Sequence, residues 1–317
     1  MLGVFLDRAS LDLGDLDFGQ LEATLPDWRF FPKTAPGEVA ERIADASIVV
    51  VNKVVFDRAL LTDATQLKLV CVAATGTNNV DLETCRELGI PVCNITAYST
   101  PAVAQHVMML ILALSTHLLD YHRDVRGGKW QESALFCLMD RPIRELGGST
   151  LGIVGYGELG QAVAKLAQAF GMEVLLAQRP GGKTQHGRLT LEALLPQVDV
   201  LTLHCPLSPA TRNLIGAREL ALMKNDALLI NAARGGIVDE QALATALREG
   251  TIGGAGIDTL SVEPPREGNP LLDPTLPNLI VTPHNAWAAR EARQRLTDLL
   301  VLNIRSFLDG NLRNRVA

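Results

Sequence analysis

Cysteine is sparse and unpaired in this chain. Only Cys71, Cys85, Cys93, Cys137 and Cys205 occur among 317 residues, an odd and scattered set without a C-x-x-C pair. That pattern argues against a disulfide framework, and no His/Cys group has the spacing of metal ligands. Long hydrophobic runs are missing too. The most apolar one, Val103–Leu114, is shorter than a bilayer span and contains Gln105 and His106. The opening MLGVFLDRAS has no basic region and meets Asp7 at once, unlike a secretory signal. Basic excess is absent as well, because the net charge is −6, which gives no footprint for nucleic acid or an anionic membrane. These absences lead to the expectation of a reducing cytoplasm.

What is present is the composition of a soluble globular protein, 47% apolar and 20% charged, in a chain long enough for two domains. The stretch LGIVGYGELG, Leu151 to Gly160, organises the reading. A short apolar strand runs into Gly155, Gly157 and Gly160, and QAVAKLAQAF then has the apolar spacing of a helix. In G-x-G-x-x-G the first glycine permits the tight turn, the second lets a phosphate reach bare backbone, and the third packs helix on strand. The helix N-terminus offers N–H groups and partial positive charge to a pyrophosphate. Dinucleotide binding is the expectation.

Before this stretch, Gly3–Leu6, Ser47–Val51, Lys68–Ala73 and Pro91–Asn94 read as strands. The segments between them, such as 37–46 and 56–64, are helix-compatible, which implies βα units and a parallel sheet. Ser99–Leu119 reads as one long helix, with Ser99 or Thr100 as N-cap and Pro101 just inside. From Tyr121 to Gly148 the spacing predicts a loop-rich arm whose Trp130, Phe136, Leu138 and Met139 are too apolar to be solvated. Beyond the glycines, strands are expected at 173–177, 199–204, 227–231, 254–258 and 279–282. With the strand at Leu151 these make six, separated by helices, and a last long helix covers about 288–308.

Five motifs in order, ATGTNNVDL (Ala74–Leu82), GYGELG, NAARGGIVDE (Asn231–Glu240), GAGIDTLSVEPP (Gly254–Pro265) and TPHNAW (Thr282–Trp287), closely resemble the D-isomer-specific 2-hydroxyacid dehydrogenases. Within that family the chain looks most like the bacterial glycerate dehydrogenase/hydroxypyruvate reductase group. The resemblance implies an α/β protein in which a Rossmann NAD(P)-binding domain, residues 99–285, is inserted into a smaller flavodoxin-like parallel α/β substrate domain, residues 1–98 and 286–317. It also implies a cleft active site and a homodimer formed through the long helix and the arm.

Reducing a 2-keto acid needs a hydride donor, a proton donor and a cation for the carboxylate. Arg234 follows a strand end between small residues, where its planar fork can hold a carboxylate. His284, after a strand and a proline, is by itself as readily an ordinary strand-end residue; by resemblance it matches the proton donor. Glu263 matches the carboxylate that hydrogen-bonds and orients it, although without the resemblance it reads as a turn glutamate. Asp258, otherwise a strand terminus or helix cap, matches the anchor of the nicotinamide carboxamide. Thr75 and Gly76 match the loop whose N–H groups grip the substrate carboxylate. Asn52 and Lys53 end another strand and could line the same cleft, although Lys53 reads equally as a solvated loop lysine. His204, Cys205 and Pro206 resemble the loop that packs on the cofactor. The expected cofactor contacts are Gly155, Gly157, Glu158, Leu159, Gly160, Gln178, Arg179, Cys205, Pro206, Ala232, Ala233, Arg234, Asp258 and His284, with no metal.

Cofactor choice departs from the common pattern. NAD-specific sheets place Asp or Glu at the end of the second strand, whereas here Gln178 is neutral and Arg179 follows, which tilts the expectation to NADP. The implied substrates are hydroxypyruvate/D-glycerate or glyoxylate/glycolate. Alternatives are another acid such as 3-phosphoglycerate, or a non-catalytic nucleotide-sensing interaction protein on the same fold. Phe136 is the candidate aromatic that crosses into a neighbouring subunit's cleft, set against packing on its own subunit.

Overall fold

The protein is described from a computed structural model covering residues 1–179, 181–182 and 185–317. Its chain forms two compact units, Met1–Ser99 with Trp287–Ala317, and Thr100–Ala286.

The first unit is built on five parallel strands, β1 (Leu2–Phe5), β2 (Asp27–Phe30), β3 (Ile48–Val51), β4 (Leu69–Val72) and β5 (Val92–Cys93), in the order β2-β1-β3-β4-β5. The runs IVVV and LVCV are buried throughout, as strands covered on both faces must be. Four short helices intervene: α1 (Gly19–Glu22), α2 (Val39–Ile43), α3 (Arg58–Asp63) and α4 (Leu82–Leu88). Asp57 and Asp81 cap the last two by accepting from Leu60 N and Thr84 N, each cap worth about 1 kcal/mol. β2 was not expected. Its sequence DWRF carries two charges and is only half-buried, as befits an edge strand with one neighbour.

The second unit holds β6 (Thr150–Val154), β7 (Glu173–Leu176), β8 (Val200–Leu203), β9 (Leu228–Asn231), β10 (Gly254–Ile257) and β11 (Leu279–Val281), all parallel, in the order β11-β10-β9-β8-β6-β7. Six strands match the expected number, and Ala177 and Leu189 form an isolated parallel bridge just beyond β7. The helices are α5 (Thr100–Ser115), α6 (Leu118–Arg126), α7 (Glu158–Ala169), α8 (Leu191–Leu194), α9 (Ala217–Leu222) and α10 (Glu240–Arg248). Val154, Leu201, Leu203, Leu229 and Ile257 form part of the core between sheet and helices.

The single helix expected at Ser99–Leu119 is instead two, α5 and α6, meeting at a 59° bend. His117 sits in the left-handed region (φ 49°), and Arg144 N takes the Ser115 carbonyl that a continuous helix would have used. The arm correspondingly begins later than expected, because Tyr121–Arg126 belong to α6. Among the described residues no single helix is long and apolar enough to cross a membrane.

The first unit closes with α11 (Arg290–Leu308). Its Arg293, only 5% exposed, donates to Leu11 O and Ala288 O and grips both oxygens of Asp15 at 2.7–2.8 Å. Val316 and Ala317 then bond to Val92, adding an antiparallel fringe beside β5.

Candidate functional site

The nucleotide fingerprint lies where β6 passes into α7. Gly155 adopts φ 96°, and a Cβ there would stand 2.6 Å from the His204 carbonyl carbon, so the turn requires glycine. A Cβ on Gly160 would approach Gly155 O to 2.3 Å, whereas at Gly157 nothing lies within 4 Å. The crowded first and third glycines and the open second one fit a pyrophosphate laid on the helix end. Gln161 N is the first to bond back, to Gly157 O at 3.0 Å, which leaves the N–H groups of Glu158, Leu159 and Gly160 without helical partners. The Glu158 carboxylate is engaged by Thr100 Oγ1 at 2.8 Å.

β8 ends beside this turn. His204 N donates to Val154 O, and the ring meets Thr202 Oγ1 through Nε2 at 3.0 Å. Burial pushes the His204 imidazole down to about 4, and it also pushes the Cys205 thiol up. Pro206 O accepts from Thr211 Oγ1, which holds the loop in place. On the β7 side, Gln178 Nε2 reaches Arg188 O at 3.4 Å and Arg179 is exposed. Arg188, which the sequence did not single out, stands 5.9 Å from the ring of Tyr156, the residue between the first two glycines.

The remaining residues cluster at the ends of the adjacent strands β9, β10 and β11. Asn231 braces the first loop, accepting from Ala233 N and donating to Arg234 O. Ala232 and Ala233 are buried, whereas Arg234 is exposed and donates to Ala233 O at 2.7 Å. A Cβ on Gly235 would lie 1.9 Å from Leu260 O, so the Arg234 loop and the loop after β10 press together backbone to backbone. In that second loop Glu263 accepts from Leu260 N through Oε1 at 2.8 Å. Its Oε2 lies 2.6 Å from His284 Nδ1. Both side chains are about one-third exposed (34% and 33%), so the pair is neither buried nor fully solvated. His284 has φ 50°, a conformation costing about 1 kcal/mol outside glycine, and its N–H bonds to Asp258 O and Thr282 O.

Asp258 is no solvated strand terminus, since it is 1% exposed. Its Oδ1 accepts from Thr282 Oγ1 (2.5 Å) and Asn285 N (3.0 Å), and its Oδ2 accepts from Ala286 N (3.1 Å). His106 Nε2, from α5, lies 3.0 Å from Thr282 Oγ1 and 3.6 Å from Asp258 Oδ1. Neither His106 nor Thr282 was expected at the site. The polar pair Gln105–His106 inside an apolar helix was the available signal, because a buried imidazole needs a partner.

Thr75 and Gly76 belong to the first unit, after β4. Thr75 Oγ1 donates to Ile95 O, and Asn94 Nδ2 donates to Thr75 O. Asn52 does not line an open surface; it is 3% exposed and donates to Ser10 Oγ. Lys53 N donates to Asp7 Oδ2. Among the described residues no group of side chains could hold a metal ion.

Two parallel sheets, a phosphate-ready glycine turn and a Glu–His pair at neighbouring strand ends fit the class of nicotinamide-dependent oxidoreductases. The match to known proteins narrows the class. Residues 108–286 fit the model of the D-isomer specific 2-hydroxyacid dehydrogenase, NAD binding domain. The chain is 48% identical over 314 residues to the glycerate dehydrogenase of Methylorubrum extorquens, covering 99% of this chain and 98% of that one. It is 40% identical to the hydroxypyruvate reductase of Blautia hydrogenotrophica, with 97% of each covered. Its fold superposes on an acyclic imino acid reductase (Bsp5) solved with NADPH and D-Arg, with a TM-score of 0.87 and 28% identity over the full length of both. The protein belongs to the D-isomer-specific 2-hydroxyacid dehydrogenase family.

Proposed function

We propose that this dehydrogenase interconverts hydroxypyruvate and D-glycerate, and glyoxylate and glycolate, with NADP(H) as the preferred cofactor. The observation that carries the reading is the 2.6 Å contact between Glu263 Oε2 and His284 Nδ1. With Nδ1–H donating to the carboxylate, proton exchange with substrate falls to Nε2. In reduction His284 gives a proton to the forming alkoxide; in oxidation it takes one from the hydroxyl. Glu263 acts by holding the ring, and its other oxygen, tied to Leu260 N, holds Glu263 in turn.

Arg234 binds and orients the substrate carboxylate through its planar fork, at a strand end where open α/β sheets gather ligands. Thr75 and Gly76 are proposed to add backbone N–H donors for the same carboxylate. Gly155, Gly157, Glu158, Leu159 and Gly160 would cradle the pyrophosphate, Cys205, Pro206, Ala232 and Ala233 would pack on the cofactor, and Asp258 would hold the carboxamide. The bound nicotinamide supplies the hydride. The neutral Gln178 followed by the exposed Arg179 supports a 2′-phosphate. The names of the two curated relatives support the substrate assignment.

The arm supports a homodimer. Phe136 is 90% exposed and Met139 74%, and Leu135 and Ile143 are exposed as well, which supports the reading in which Phe136 reaches a partner subunit over the one in which it packs on its own. A cytoplasmic location is proposed on the free cysteines and the absence of any disulfide among the described residues. A panel of hydroxypyruvate, glyoxylate, pyruvate and 3-phosphohydroxypyruvate against NADPH and NADH tests the assignment. Hydroxypyruvate and glyoxylate with NADPH should give the highest kcat/KM. Faster turnover of the phosphorylated acid, or none with any acid, would overturn it.

A further inference from the structure

The residues around Asp258 are joined in a way that the proposed chemistry leaves unused. Thr282 has one hydroxyl proton, and it points to Asp258 Oδ1 at 2.5 Å. The same oxygen lies 3.0 Å from His106 Nε2, so it must accept there, which makes Nε2 of His106 the protonated nitrogen. Burial pushes His106 below the usual histidine range against the opposing pull of Asp258, which suits a neutral ring acting as donor. The result is a directed chain, His106 Nε2–H to Thr282 Oγ1–H to Asp258. It ends on a carboxylate that also collects Asn285 N and Ala286 N, while the Asp258 carbonyl collects His284 N. His284 lies between these anchored residues, in a left-handed conformation that its surroundings must impose.

We infer that His106 is a positioning residue for His284: by donating to Thr282 it fixes the hydroxyl rotor that locks Asp258 to the 282–286 loop. The inference rests on His284 being the proton donor. Hydrogen bonds in such a row polarise one another, so losing the first donor loosens the rest. The donor comes from α5, a helix outside the strand-end loops, and it touches no reacting atom. Its removal therefore lowers the rate at which a bound substrate is protonated, while cofactor affinity, carried mainly by the separate glycine turn at Gly155–Gly160, moves little even though Asp258 is one of the cofactor contacts.

The test uses the full-length enzyme. His106→Leu removes the donor, and Thr282→Val, nearly isosteric, removes the link. Each should lower kcat for hydroxypyruvate reduction about tenfold while leaving the fluorescence-titrated Kd for NADPH within about twofold. The double variant should be no slower than the slower single one, because both break one chain. His106→Gln, which returns an amide donor near the Nε2 position, should recover most of the lost rate. Wild-type kcat in Thr282→Val, fully multiplicative losses in the double variant, or a His106→Gln enzyme as slow as His106→Leu would each overturn the inference. Should His106→Leu fail to fold, Thr282→Val and His106→Gln decide it together. His284→Gln separates the two levels: if it keeps full kcat, the proton-donor reading itself is wrong. If it is inactive while Thr282→Val is unimpaired, only the role of His106 falls.

Discussion

At the switch point of the first sheet, between β1 and β3, the Asp7 carboxylate accepts from Asn52 N and Lys53 N and is itself 6% exposed. At the corresponding point of the second sheet, between β6 and β8, no carboxylate among the described residues accepts from the backbone N–H groups of the turn. Gly157 faces open space, and the first N–H groups of α7 lack helical partners. Open α/β sheets collect ligands at such points because two loops diverge there and leave backbone donors between them. The first sheet satisfies its donors from its own chain and gains stability; the second leaves them for a phosphate and gains a binding site. The same topology thus yields a scaffold in one unit and a cofactor seat in the other, decided by an aspartate in one turn and glycines in the other.

Substitutions at the second sheet's strand ends should cost rate, and those at the first sheet's closed turn should cost fold. The largest effect is expected from His284→Gln, which should lower kcat by about 10²-fold or more with cofactor affinity and Tm unchanged. An undiminished kcat would remove His284 from the mechanism. Next, Asp7→Ala strands the N–H groups of Asn52 and Lys53 and should destabilise the first unit by about 2 kcal/mol in urea unfolding. The Kd for NADPH should not move; weaker cofactor binding there would erase the contrast between the turns.

The third test sharpens the contrast through pH. Burial holds His204, beside the open turn, at about 4 rather than 6.5. The unfolded chain therefore binds this proton more readily, so the contribution is intact above pH 6.5 and is lost as pH falls towards 4. His204→Asn should flatten the decline of Tm across that window by several degrees, and a curve superimposable on wild type would contradict the assignment. The smallest effect concerns cofactor choice. Gln178→Asp with Arg179→Ala should shift the NADPH/NADH ratio of kcat/KM about tenfold towards NADH, the scale of one charged hydrogen bond. No shift would place selection elsewhere, with Arg188 the next residue to change.

Strands made of consecutive apolar residues, such as IVVV and LVCV, were legible because burial on both faces leaves a sequence no other pattern. DWRF was not, since an edge strand keeps its charges. The break between α5 and α6 could not be read locally, because Arg144, distant in sequence, takes the Ser115 carbonyl. The glycine turn was legible residue by residue, each glycine answering to its own steric demand. Arg234, Glu263 and His284 were picked out through resemblance, since a lone strand-end histidine has no distinguishing signature. His106, legible only as a polar residue in an apolar run with no proton-transfer role, and Thr282 were not placed at the site because their importance lies in a hydrogen-bond row between a helix and a strand end, which no spacing along the chain encodes.

The discontinuity of the first unit has a consequence for how the chain comes into being. Its sheet is synthesised first, but α11 and the Val316–Ala317 fringe emerge only after the entire second unit. The second unit, contiguous in sequence, can complete its core during translation, as domains generally do. Until α11 arrives, Asp15 and the Leu11 carbonyl wait for Arg293, and the β4 face that α11 covers stays wet. Released chains truncated just before Arg290 should accordingly protect the second unit from protease while the first is digested. The nucleotide-binding half would then be competent before the half that completes the enzyme exists.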